Sequence, residues 1–64
     1  MMDEAILLEM ARRLREIREA TERLKQLAEE HRIPAVFKNA ERILACVAML
    51  ELHIQDPLKL LRNG

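Results

Sequence analysis

Sixty-four residues allow one domain, and a domain this small buries only about 60% of the surface its unfolded chain exposes. Eleven Lys and Arg balance eleven Asp and Glu, so no net field draws in nucleic acid or an anionic membrane. One cysteine excludes an internal disulfide framework, and the longest apolar run, the eight residues Ile43 to Leu50, falls far short of the roughly 20 needed to span a bilayer.

The chain has no Ser, Trp or Tyr, one Thr and one Phe, and is rich in Ala, Leu, Glu and Arg, which are strong helix formers. The expected class is therefore all-α. A scaffold of this size without disulfides or a metal depends on oligomerisation or on idealised helix packing, and no Cys/His cluster has the spacing of a structural zinc site. Met-Met-Asp-Glu at the start carries acids where a secretory leader needs bases. With a lone thiol, this points to a cytoplasmic protein.

Helix 1 is expected over about residues 3–30. Leu7, Met10, Leu14, Ile17, Thr21, Leu24, Ala28 and His31 alternate at spacings of three and four, the signature of a heptad seam. Ile6, Ala20 and Leu27 widen that seam, as bundle helices require. Opposite charges four residues apart cover the other faces: Glu9 with Arg13, Arg12 with Glu16, Arg15 with Glu19, Arg18 with Glu22, Glu19 with Arg23, and Lys25 with Glu29. A turn is expected over residues 31–33. Pro34 cannot continue helix 1 but suits the first position of the next, and it pushes Ile33 out of helical dihedrals. So short a connection makes an antiparallel hairpin.

Helix 2 is expected over about residues 34–55. Val36, Ala40, Ile43, Val47, Leu50 and Ile54 form one seam, assigned to helix 1 of the same chain. Ala45, Ala48, Met49 and Leu52 form a second stripe, with Phe37 and Leu44 between the two. A helix apolar on two faces needs two sets of neighbours, and the chain supplies one. Asp56-Pro57 reads as a second break, with Asp56 as an N-cap. A short helical turn through Leu58, Leu60 and Leu61, in a tail over residues 56–64, would follow, with Leu58 and Leu61 covering Ile6 and Leu7. The expected core comprises Leu7, Met10, Leu14, Ile17, Leu24, Leu27, Ala40, Ile43, Leu44, Val47, Met49 and Leu50.

Few residues suggest chemistry. Cys46, in mid-helix without a neighbouring cation, reads as a small buried apolar residue and not a reactive thiol. His31 and His53 read as residues near helix C-termini, and neither has a second ligand one turn away, so no metal or cofactor is expected. Thr21 reads as a hydroxyl bonded back to its own helix. Without Ser, Tyr or a Gly-rich turn the chain lacks the usual nucleophile, phenolic acid and phosphate cradle, so an enzyme is not expected. Arg12, Arg15 and Arg18 are the candidate nucleic-acid contacts, although every one has a Glu within a turn and no aromatic interleaves for base stacking.

In hairpin length and seam pattern the chain resembles the Rop-type plasmid regulators, whose helical hairpins dimerise into antiparallel four-helix bundles. That resemblance implies an RNA-binding alternative through the Arg12–Arg18 cluster. The favoured reading is a non-catalytic interaction or regulatory protein, homodimeric through Phe37, Leu44, Ala45, Ala48, Met49 and Leu52, and open to contact with another protein. On this reading Ala48→Glu or Met49→Glu would unfold the chain or leave a poorly ordered monomer. A variant shown by light scattering to be stable and monodisperse would count against a dimer built this way.

Overall fold

The computed structural model describes residues 3–63; Met1, Met2 and Gly64, which the expected domain includes, lie outside them. Two helices, α1 (Glu4–Glu30) and α2 (Pro34–Asn63), pack against each other as an antiparallel hairpin. The hairpin is a rod of 48 × 16 × 15 Å. Its radius of gyration is 14.7 Å, where a compact domain of this length has about 11 Å.

Helix α1 begins at Asp3, whose carboxylate accepts the Ala5 N–H at 3.2 Å as an N-cap. It ends in a Schellman motif. The Ile33 N–H donates to the Ala28 carbonyl at 2.8 Å and the Arg32 N–H to the Glu29 carbonyl at 3.3 Å. Arg32 takes the left-handed conformation the motif requires, at φ 56°, a position usually filled by Gly because a side chain there costs about 1–2 kcal/mol. Ile33 stands just before α2, its carbonyl accepting the Phe37 N–H at 3.0 Å, and Pro34 opens the first turn, where no N–H is needed.

The buried residues fall on a strict seven-residue period. Leu7, Leu14, Thr21 and Ala28 line α1; Ala40, Val47 and Ile54 line α2. Thr21 fits among them because its hydroxyl donates to the Ile17 carbonyl at 2.7 Å, which satisfies it within the helix. Six residues placed in the core on sequence grounds, Met10, Ile17, Leu24, Ile43, Met49 and Leu50, are instead 42–57% exposed. Leu27 and Leu44 are half-buried. The reason is geometric: two helices touch along one line, so each covers a single row of the other, while a full heptad seam has two rows.

Helix α2 does not stop at Gln55. It runs through Asp56 and Pro57 to Asn63, so Asp56 is not an N-cap and the expected short turn is the continuation of α2. Pro57 forfeits the bond its missing N–H would make to the His53 carbonyl, at a cost of roughly 3 kcal/mol. Tertiary packing offsets it: the next residue, Leu58, packs against the cluster of Leu7, Leu14, Val47 and Ile54, and Arg62 reaches Glu4. The two helices thereby match in length. Leu7 is covered, while Ile6 and Leu61 stay half-exposed.

Arg32→Gly removes the left-handed strain and is expected to stabilise the hairpin by about 0.5–1 kcal/mol, read as a higher melting temperature. An unchanged or lowered melting point would mean that Arg32 contributes contacts worth more than its backbone strain.

Candidate interaction surfaces

The hairpin has two flanks, one on each side of the buried seam, and they differ in chemistry. On one flank polar ties cross between the helices. Arg18 donates to both oxygens of Glu51, from Nη2 at 2.6 Å and from Nε at 3.2 Å, a bidentate pairing. Its Nη1 also lies 3.6 Å from Glu22. Lys25 reaches Glu41 at 3.8 Å, and its ammonium stands 5.2 Å from the centroid of the Phe37 ring. Arg62 donates to Glu4 at 3.4 Å. The hydrogen bond from Arg18 holds the Glu51 carboxyl below its usual range, and in turn Glu51 raises the Arg18 guanidinium.

The other flank is apolar. Met10, Ile17 and Leu24 recur every seven residues along α1, Ile43 and Leu50 along α2, and all five are 42–48% exposed. Two shallow grooves open here. One lies between Met10, Leu14, Leu50 and Ile54, with Glu9, Arg13 and His53 at its edge. The other lies between Ile17, Ile43, Val47 and Leu50, with Asn39, Arg42 and Cys46 at its edge. Among the described residues no ion pair crosses this flank.

The structure separates the interface residues expected from sequence. Phe37 and Leu44 sit on the ionic flank, Phe37 under Lys25 and Leu44 beside Glu22, Lys25 and Gln26. Ala45, Ala48, Met49 and Leu52 are exposed, with Ala45, Met49 and Leu52 turned away from α1. Cys46 is exposed, not buried: Val47 takes the seam position, and one residue's rotation of about 100° carries Cys46 to the rim of the apolar flank. His53 lies well inside α2 instead of near its end, because the helix continues past Pro57.

The candidate nucleic-acid residues are likewise divided. Arg12 is bonded to Glu9 at 2.6 Å and Arg18 to Glu51 and Glu22, while Arg15 is exposed beside Ala11 and Leu58. Of the expected pairs four residues apart, Glu9–Arg13 and Arg18–Glu22 form. Lys25 turns across to α2 instead of to Glu29. The cross-helix pairs were the part sequence reasoning missed. Their signal is opposite charges at seam-flanking positions that a three-residue turn brings level. Among the described residues no group of three or more His, Cys, Asp or Glu gathers to hold a metal, and no helix is long and apolar enough to cross a membrane. Comparison with family models, with curated proteins and with solved structures finds no match to this chain.

Because the Glu51 carboxyl is depressed in the folded state, its contribution is fully present above the ordinary value of 4.5 and is lost as pH falls through the lowered one. Glu51→Gln is therefore expected to melt below the wild type at neutral pH and to converge with it in acid. A gap that persists unchanged into acid would assign the difference to packing and not to the charge.

Proposed function

We propose that this chain is a non-catalytic interaction protein that works as a homodimer, two hairpins packed as a four-helix bundle whose charged outer surface meets another protein. One observation carries the reading. The hairpin exposes 5213 Å², where a compact monomer of its mass exposes about 4200 Å². The excess of about 1000 Å² resembles the ~800 Å² each partner buries in a standard protein interface. Much of the large apolar side-chain surface is half-exposed, and a second copy would turn it into core. The lone thiol suits the reducing cytoplasm.

The RNA-binding alternative has less behind it. Arg12 and Arg18 are engaged by carboxylates, and displacing those partners would offset what phosphate contacts contribute.

Sedimentation equilibrium at micromolar concentration is expected to give twice the chain mass, with a melting temperature that rises with protein concentration. A monomer with a concentration-independent melting point would overturn the homodimer. In the same preparation, a salt-sensitive gel shift with RNA that is lost on Arg12→Glu with Arg15→Glu would favour the alternative.

A further inference from the structure

We infer that the second copy seats on the apolar flank of Met10, Ile17, Leu24, Ile43 and Leu50, and not on the outer stripe of α2. The inference rests on the homodimer reading and specifies its face. Three observations select the flank.

First, among the described residues all three ion pairs between the helices, Arg18–Glu51, Lys25–Glu41 and Arg62–Glu4, lie on the opposite side of the seam. Covering that side would desolvate charges already committed to each other. Second, the open rows are continuous with the seam: each residue stands three positions after a buried one, Met10 after Leu7, Ile17 after Leu14, Leu24 after Thr21, Ile43 after Ala40 and Leu50 after Val47. They repeat every seven residues, about 10.5 Å along each helix, so a second hairpin of the same sequence presents knobs at the spacing of these holes. Both helices contribute, whereas Ala45, Met49 and Leu52 offer one helix only. Third, the α1 rim of the flank is neutral within itself. Glu9 is bonded to Arg12 and Arg13, and Arg13 to Glu16, so this edge requires no counter-charge from a partner. A copy of the same chain, itself without net charge, meets that condition.

Leu50 and Leu52 make a matched pair for the test, being the same residue type with 48% and 51% exposure. Leu50→Lys is expected to weaken dimerisation about a hundredfold or more by burying an unpaired charge, while Leu52→Lys leaves it unchanged. Cys46 gives a readout without mutation. It lines the groove with Ile17, Ile43 and Leu50, so its reaction with a disulfide reagent is expected to slow about tenfold or more from dilute to dimeric wild-type protein. If the wild type dimerises but Cys46 reacts equally fast throughout, or Leu52→Lys alone dissociates it, the flank is wrong and the homodimer stands. If both variants dissociate or fail to fold, the Cys46 rate decides. A wild type that remains monomeric removes the homodimer and the flank together.

Discussion

Two helices laid side by side share one line of contact, and the rest of this structure follows from that constraint. Leu7, Leu14, Thr21 and Ala28 on α1 and Ala40, Val47 and Ile54 on α2 fill the line. A second row three residues further on has nothing to meet within the chain. Burying a large aliphatic side chain fully contributes about 1.5–3 kcal/mol. Ala28, Ala40 and Thr21 are small, so the seam they share with four larger residues is thin. The half-exposed rows hold five large side chains against the seam's four, which makes the hairpin a structure with its second interior layer on the outside.

The polar ties orient this hairpin more than they hold it together. Exposed ion pairs contribute little each, and those of the Arg18 flank are partly open to water. Gathering them on one side gives the rod a distinct front and back. A hairpin with identical flanks could accept a neighbour on either, and chains could then add without limit. One charged and one apolar flank favour closed pairing instead.

Much of this was legible in the sequence. The three–four spacing from Leu7 to His31 implied a long α1, and His31-Arg32-Ile33-Pro34 implied a tight reversal. What periodicity could not resolve was which half of each heptad faces inward. Met10 and Leu14 look alike on a helical wheel; their burial separates only when the partner helix is placed. The same limit put Cys46 inside. Pro57 misled for a different reason. Local propensity ends a helix there, but Leu58 and Arg62 find partners on α1 only if the helix continues. The charges opposing across the seam were visible as residues, but their pairing depended on a register that only the geometry of Arg32 and Ile33 defines.

The three-residue connection also fixes an order of assembly. Contacts between the helices span progressively longer stretches of chain with distance from the turn, from Lys25–Glu41 through Arg18–Glu51 to Glu4–Arg62. Each closes only a small additional loop once the previous one is made, so the entropy of bringing distant residues together is met in increments. The hairpin can therefore zip from Arg32 outwards. In reverse, opening begins at the far end, where Glu4–Arg62 is a single exposed bond and Pro57 has already removed a rung from the helix. Amide exchange should accordingly grade along the rod, fastest beside the termini and slowest towards the turn, near the buried Ala28 and Ala40.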